Sequence, residues 1–139
     1  MDKQKERILV ADDDAVIREG VRRVLSGAGY DVETVSNGRA ALERLEAERF
    51  KLLVTDLKMP GMSGLEVLRA IRTRQPELPV VLITGYAAID NAVEAMKNGA
   101  TDYLAKPFDV IELVARMRSV TRRASGKASS EMCFGQFRL

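Results

Sequence analysis

The spacing of apolar residues switches repeatedly along the chain between the pattern of buried strands and the helical period of about 3.6 residues. Apolar runs predict five strands, at Ile8–Ala11, Asp31–Val35, Leu52–Thr55, Val80–Ile83 and Tyr103–Ala105. Apolar residues at helical spacing predict five helices, spanning 15–28, 38–45, 65–71, 89–99 and 110–120. Strands that alternate with helices form a parallel sheet with helices on both faces, so we predict an α/β fold.

The composition is typical of one folded domain. The chain has 139 residues, of which 46% are hydrophobic and 30% are charged, enough to build a core. No apolar run reaches the roughly 18 residues of a membrane span, and the charged start, Met1–Arg7, lacks the apolar segment of a secretory signal. The single cysteine, Cys133, and the absence of histidine exclude a disulfide framework, a cysteine-rich zinc site and a serine-type triad. We expect a reducing, cytoplasmic setting.

Charge divides the chain into an acidic body and a basic tail. Residues 1–115 contain 16 basic and 19 acidic side chains, whereas residues 116–139 contain 6 basic side chains and 1 acidic side chain. The tail has no groove-reading motif and no interleaved aromatic residues, so we predict no direct nucleic-acid binding by this domain. Ser, Gly and Ala dominate 124–130, and we predict that 124–139 is a linker or the start of a missing output region.

Polar residues follow four of the predicted strands at their carboxyl ends, which meet at one edge of a parallel sheet. They are Asp12, Asp13 and Asp14 after the first strand, then Asp56, Thr84 and Lys106. Crowded carboxylates repel one another unless a cation enters, and Mg²⁺ prefers sites built on one or two carboxylates. With a lysine and a hydroxyl beside it, such a site suits a phosphoryl group, and one carboxylate would be the nucleophile. Asp14 is better explained as a helix N-cap than as a ligand.

Four segments in this order resemble the receiver domain of bacterial two-component response regulators. They are Ile8–Asp14, Thr55–Gly64, Thr84-Gly85 and Asp102–Phe108. The resemblance covers residues 6–123, and the set of motifs is far more specific than any one of them. It implies the flavodoxin-like fold, with five parallel strands in the order 2-1-3-4-5 and five helices.

The resemblance also implies the roles of the site residues. Asp56 matches the phosphoryl acceptor, and Lys106 matches the lysine that contacts the phosphate. Asp13 and Asp56 match direct Mg²⁺ ligands, with the main-chain carbonyl of Lys58 as a third and Asp12 acting largely through water. Mn²⁺ is expected to substitute for Mg²⁺.

A second group of residues matches the family's switch. Thr84 matches the hydroxyl that turns toward the phosphate, and Tyr103 matches the aromatic residue that follows it inward. The Lys106–Pro107 peptide bond is expected to be cis. Tyr86, two places after Thr84, is expected to shield the acyl phosphate from water.

These features predict a phospho-receiver that accepts its phosphoryl group from a sensor histidine kinase in another chain. It would catalyse only its own phosphorylation and dephosphorylation. The expected partners are that kinase, a second copy bound through the fourth helix, fifth strand and fifth helix, and an output domain. The segment from Thr84 to Ala100 is most similar to receivers of nitrogen-regulation-type activators, whose output is an ATPase that acts on an alternative sigma factor.

Two other functions remain open from the sequence. Ile8–Val16 also fits the nucleophile motif of haloacid-dehalogenase-like phosphatases, although no acidic pair follows Lys106 and Asp56 is then left unexplained. The chain would alternatively be a pseudo-receiver that binds partners without phosphorylation. The complete set of acids and lysine argues against that second alternative.

Overall fold

The computed structural model describes residues 5–85, 89–106 and 109–125, without the side chains of residues 84, 89–92 and 123–125. Its strands are β1 (Arg7–Ala11), β2 (Asp31–Val35), β3 (Leu52–Asp56), β4 (Val80–Thr84) and β5 (Asp102–Ala105). Its helices are α1 (Ala15–Gly27), α2 (Gly38–Ala47), α3 (Gly64–Arg74), α4 (Ile89–Lys97) and α5 (Val110–Ser125). Strands and helices alternate strictly, as the hydrophobic pattern predicts.

The strands form one parallel sheet in the order β2-β1-β3-β4-β5, which confirms the predicted fold. The register brings the carboxyl ends of four strands to a common edge. Ala11 pairs with Thr55, Asp56 pairs with Ile83, and Thr84 pairs with Ala105. The residues that directly follow β1 and β5 therefore lie beside the end of β3.

Apolar side chains fill the space on both faces of the sheet. Alternate residues of a strand point to opposite faces, so Leu9 and Leu53 join one buried cluster while Ile8 and Val54 join the other. Buried residues of α2 and α3 complete the first cluster, and buried residues of α1 and α5 complete the second. The strands β1, β3 and β4 are almost entirely buried, as their continuous apolar runs predict.

Side-chain caps begin α1 and α3, which follow the two strands that carry the clustered aspartates. Oδ1 of Asp14 accepts hydrogen bonds from the N–H groups of Val16 at 2.9 Å and Ile17 at 3.3 Å, which confirms Asp14 as the N-cap of α1. Ser63 and Glu66 form a reciprocal capping box at the start of α3. These caps fix where each helix leaves the loop that follows its strand.

The structure differs from the predicted boundaries at β5 and α5. β5 begins at Asp102, one residue before the apolar run, because the backbone of Asp102 already pairs with Val81 of β4, and Arg116 of α5 binds its carboxylate at 2.9 Å. A charged residue gives no strand signal in a hydrophobic pattern. α5 continues to Ser125, into the first residues of the predicted linker, and the domain boundary at residue 123 stays a prediction.

Some predictions fall on residues outside the described ranges. They concern Tyr86, the Lys106–Pro107 peptide bond, Phe108, Cys133 and the rest of the tail after residue 125. Among the residues that the structure describes, none of the helices is long and apolar enough to cross a membrane.

Candidate functional site

Three aspartates meet at the carboxyl edge of the sheet, as the sequence predicts. One carboxylate oxygen from each of Asp12, Asp13 and Asp56 lies within 4.8 Å of the other two. Asp12 and Asp56 are buried, with 1% and 7% of their surfaces exposed, whereas Asp13 is exposed. The cluster therefore forms a shallow acidic site, with two carboxylates in its floor and one at its rim.

Lys106 places an ammonium group between the two buried carboxylates. It directly follows β5, and its Nζ lies 3.4 Å from Oδ2 of Asp12 and 3.3 Å from Oδ2 of Asp56. Burial opposes the charged form of this lysine, but the neighbouring charges of Asp12 and Asp56 outweigh it and raise the pKa of Lys106. Lys106 is therefore a fixed positive charge at neutral pH.

The surrounding loops hold Asp12 firmly in place. Its N–H donates to the carbonyl oxygen of Val35 at 3.2 Å, and its Oδ1 accepts from the N–H of Asp14 at 2.9 Å. Its carbonyl oxygen accepts from Nη1 of Arg18 at 2.7 Å. Oδ2 of Asp12 is buried, and among the described residues no group donates a hydrogen bond to it. That oxygen has Lys106 nearby as an ionic neighbour only.

Burial and neighbouring charge perturb the ionisation of Asp12. Burial raises its pKa above the ordinary value of 3.8, and the Asp56 carboxylate raises it further. The N–H of Asp14 and the Lys106 ammonium act in the opposite direction and only partly compensate. The environment of Asp12 thus destabilises its ionised form relative to its protonated form.

The loop after β3 fixes the position of Asp56. The N–H of Lys58 donates to Oδ1 of Asp56 at 3.4 Å, and the N–H of Gly64 donates to the carbonyl oxygen of Leu57 at 2.9 Å. Gly64 comes so close that a Cβ added there would lie 2.2 Å from the carbonyl oxygen of Asp56. Only glycine permits α3 to start this near the end of β3. Gly61, in the same loop, has a φ of 81°, which also favours glycine.

The residues present fit a hard divalent cation. Three carboxylates and one ammonium leave two negative charges unbalanced, which is the charge that Mg²⁺ or Mn²⁺ would neutralise. All the donor atoms are oxygens, which these ions prefer, and the buried Oδ2 of Asp12 accepts no hydrogen bond from the described residues. The acidic cluster is therefore a candidate cation site.

The remaining predicted site residues lie around the cluster. Thr84 ends β4, next to β3 in the sheet, but its side chain is outside the description. Tyr103 lies on β5 with 40% of its surface exposed, so its ring points away from the core. Lys58 contributes a main-chain contact to Asp56, and its side chain is exposed.

Sequence reasoning missed two residues that shape the site. The arginine at position 18 looks like any polar residue on the first turn of a helix, so nothing in the pattern indicates its hydrogen bond to Asp12. Gly64 is the last residue of the motif Thr55–Gly64, and the structure shows that it is also the first residue of α3 and lies against Asp56. A glycine at the start of a helix after a turn motif was the available signal for such a close approach.

Comparison with known proteins gives one consistent result. The profile of the response regulator receiver domain matches residues 8–118. The response regulator protein PmrA of Pseudomonas aeruginosa is 42% identical over 133 residues, covering 96% of this chain and 60% of the relative. FleR, a response regulator protein of the same species, is 46% identical over 113 residues, covering 79% of this chain and 24% of the relative.

Solved structures agree with the curated relatives. A receiver domain protein from Clostridium thermocellum superposes with a TM-score of 0.82 at 33% identity, covering 86% of this chain and 97% of that one. NtrX from Brucella abortus, solved in complex with ADP, superposes with a TM-score of 0.86 at 31% identity, covering 96% of this chain and 31% of that one. The chain spans at most about 60% of the length of the curated relatives PmrA and FleR.

Proposed function

The chain belongs to the response regulator receiver domain family, and on this premise we propose that it accepts a phosphoryl group on Asp56 from a phosphohistidine of a sensor kinase. The observation that carries the proposal is the meeting of three carboxylates and the Lys106 ammonium at the carboxyl edge of the sheet. A haloacid-dehalogenase-like phosphatase would not need Asp56 in this cluster. A pseudo-receiver would not need the complete acidic set.

Asp56 is the nucleophile in this mechanism. An oxygen of its carboxylate attacks the phosphorus atom, a P–O bond forms, and the P–N bond to the donor imidazole breaks with its electron pair leaving on the ring nitrogen. Phosphoryl transfer needs mainly alignment and charge stabilisation. The Lys58 N–H holds one oxygen of Asp56, and Lys106 lies near the other, so the carboxylate has a fixed orientation for attack.

Asp12, Asp13 and Asp56, with the main-chain carbonyl of Lys58, would hold the divalent cation. Bound there, Mg²⁺ or Mn²⁺ would neutralise charge on the oxygens of the phosphoryl group being transferred. Lys106 carries its positive charge to the same oxygens from the side of β5. These 139 residues contain no histidine, so the phosphohistidine donor lies outside them.

Hydrolysis returns the domain to its starting state. Water must reach the phosphorus atom opposite Asp56, and the acceptor is 7% exposed, so we expect slow self-catalysed dephosphorylation. Lys58 lies two residues after Asp56 and is exposed, where its side chain would influence access of water. The shielding role expected of Tyr86 concerns a residue outside the described ranges and stays a prediction.

Phosphorylation is proposed to change the surface formed by α4, β5 and α5. The phosphate gives the hydroxyl of Thr84 a new partner, and Tyr103 then moves from its exposed position into the space released. Val93 and Met96 of α4 are 51% and 40% exposed and lie on this surface with Tyr103. A second copy of the chain or an output domain would bind there. The type of output domain and the cytoplasmic location remain predictions.

The proposal is tested by incubating the purified chain with acetyl phosphate and Mg²⁺ and measuring its intact mass. We expect the mass of one added phosphoryl group in the wild type, and none in Asp56→Asn or after chelation with EDTA. The matched control Asp31→Asn removes an aspartate at the opposite edge of the sheet and leaves labelling unchanged. A wild-type mass that does not change, or labelling that persists in Asp56→Asn, overturns the proposal.

A further inference from the structure

Arg18 connects the first turn of α1 to the backbone of the acidic cluster. Its Nη1 donates to the carbonyl oxygen of Asp12 at 2.7 Å, while its own N–H donates to the carbonyl oxygen of Asp14 at 2.9 Å. The guanidinium therefore spans the turn between β1 and α1 that carries the first two carboxylates of the cluster. A charged donor makes a stronger hydrogen bond than a neutral one.

The carbonyl that Arg18 holds belongs to the peptide unit between Asp12 and Asp13. A peptide unit is planar, so fixing the direction of the Asp12 carbonyl also fixes the N–H of Asp13 and the direction in which the chain enters that residue. The Asp12 side chain has its own anchor, the N–H of Asp14. The Asp13 carboxylate, by contrast, accepts no hydrogen bond from any described residue, and it is exposed.

The position of Asp13 thus depends on the backbone before it, and Arg18 is the side chain that restrains this backbone. In the described part of the chain, no other side chain donates to the carbonyl oxygen of Asp12. If Arg18 is removed, the carbonyl of this peptide unit loses its side-chain donor, and the unit has more freedom to rotate within the bonds that hold Asp12 and Asp14. The oxygen of Asp13 would then sample positions outside the 4.8 Å cluster.

We propose that Arg18 is a positioning residue for the candidate cation site, which holds Asp13 in place through the Asp12–Asp13 peptide unit. This inference rests on the proposed function and adds a residue that takes no part in phosphoryl transfer itself. Arg18 does not contact the phosphoryl group and does not bind the cation. Arg18 restrains the Asp12–Asp13 peptide unit before the cation binds, so that less conformational entropy is lost on binding.

The direct test is the affinity of the isolated chain for Mg²⁺ alone. Arg18→Met removes the donor and keeps the apolar stem of the side chain. Loss of a residue that orients a metal ligand weakens metal binding by about 10- to 100-fold, so we expect roughly a tenfold rise in the Mg²⁺ dissociation constant, measured from backbone amide NMR shifts. Arg18→Lys restores a charged donor and should bring the dissociation constant back to within about threefold of the wild type.

The same variants separate positioning from chemistry in the acetyl phosphate reaction. We expect Arg18→Met to raise the Mg²⁺ concentration that gives half-maximal labelling, while the rate at saturating Mg²⁺ stays within about twofold of the wild type. Arg23→Met is the matched control, because it removes an exposed arginine of α1 that makes no hydrogen bond to the turn. Its Mg²⁺ affinity should equal that of the wild type.

Each outcome of this experiment decides the inference. An unchanged Mg²⁺ affinity in Arg18→Met, or an equal loss in Arg18→Met and Arg23→Met, overturns it, since the second result would show an effect that does not depend on the contact with Asp12. If Arg18→Met does not fold, Arg18→Gln replaces it, because the shorter neutral amide also loses the contact with Asp12. If the wild type binds Mg²⁺ but is not labelled on Asp56, the proposed function is refuted. The role of Arg18 is then decided by comparing the Mg²⁺ affinities of Arg18→Met and the wild type.

Discussion

In magnesium-free solution, Asp12→Asn is expected to unfold less readily than the wild type. Asparagine keeps an Oδ1 that accepts the hydrogen bond from the N–H of Asp14. The substitution therefore removes mainly the negative charge of a side chain that is 1% exposed. The charge is unfavourable there, because Asp12 faces two other carboxylates and only one ammonium group.

The distances in the cluster give the size of this effect. Each carboxylate oxygen within 4.8 Å of Asp12 repels it by at least about 3.5 kcal/mol at an effective dielectric constant of about 20. Lys106, at 3.4 Å, attracts Asp12 by about 5 kcal/mol on the same basis. Repulsion from Asp13 and Asp56 therefore exceeds the attraction by about 2 kcal/mol. Solvent screening of the exposed Asp13 reduces this repulsion, whereas burial of the Asp12 charge adds to its cost, so we expect Asp12→Asn to raise the free energy of unfolding by about 1–2 kcal/mol.

The assay is urea unfolding followed by circular dichroism at neutral pH, first with EDTA and then with Mg²⁺. A cation present at about ten times its dissociation constant stabilises the wild type by about 1.4 kcal/mol, and Asp12→Asn should lose most of this gain. Glu43→Gln is the matched control, since it removes one exposed negative charge from α2. An Asp12→Asn protein that is less stable than the wild type in EDTA would refute the electrostatic reasoning.

The pH dependence gives a second check on the same residue. Burial raises the pKa of Asp12 in the folded protein above its ordinary value of 3.8, so the folded state binds this proton more tightly than the unfolded chain does. The stability that a protonated Asp12 contributes is complete below its unfolded pKa and is lost as the pH rises through the raised folded value. The difference in stability between Asp12→Asn and the wild type should therefore shrink as the pH falls through this window in EDTA.

Three further substitutions test the packing of the domain, one at the site and two away from it. Gly64→Ala places a Cβ 2.2 Å from the carbonyl oxygen of Asp56, so we expect a loss of about 1–3 kcal/mol in unfolding free energy and slower labelling by acetyl phosphate; wild-type values for both would contradict the close approach. Arg72→Met removes donors from four backbone carbonyls and should lower the unfolding free energy by about 2 kcal/mol in a urea titration. Tyr30→Phe removes the buried hydroxyl contact to Thr121 at 3.2 Å and should lower it by about 1 kcal/mol, with labelling unaffected.

The hydrophobic pattern was sufficient to predict the strands and helices. Strands with continuous apolar runs, such as Leu52–Thr55, are buried on both faces of the sheet. Such runs therefore allow a parallel sheet to be predicted from the sequence. The same pattern gave β5 one residue too short, because Asp102 pairs with Val81 of β4 although it is charged, and its carboxylate is bound by Arg116, 14 residues away in the chain. A pairing of that kind depends on the tertiary structure and leaves no periodic signal.

The sequence was sufficient to predict which residues form the candidate site, but not how they contact one another. Strand ends and the family resemblance led to Asp12, Asp13, Asp56 and Lys106, and the structure brings these four together. The sequence could not show that Oδ2 of Asp12 lacks a hydrogen bond in the described structure. Nor could it show that Arg18 holds the adjoining peptide unit, because such contacts depend on how the turn after β1 is folded.

The central claim is that the clustered acids share a divalent cation and that Asp56 thereby becomes a reversible carrier of phosphate. The most direct measurement is to label the protein with acetyl phosphate and Mg²⁺, reduce the acyl phosphate with borohydride, and locate the modified residue by peptide mass spectrometry. We predict a single modified residue, Asp56, and no modification when Mg²⁺ is withheld. Modification of Asp12 or Asp13 instead, or labelling of Asp56 that does not depend on the cation, would contradict it.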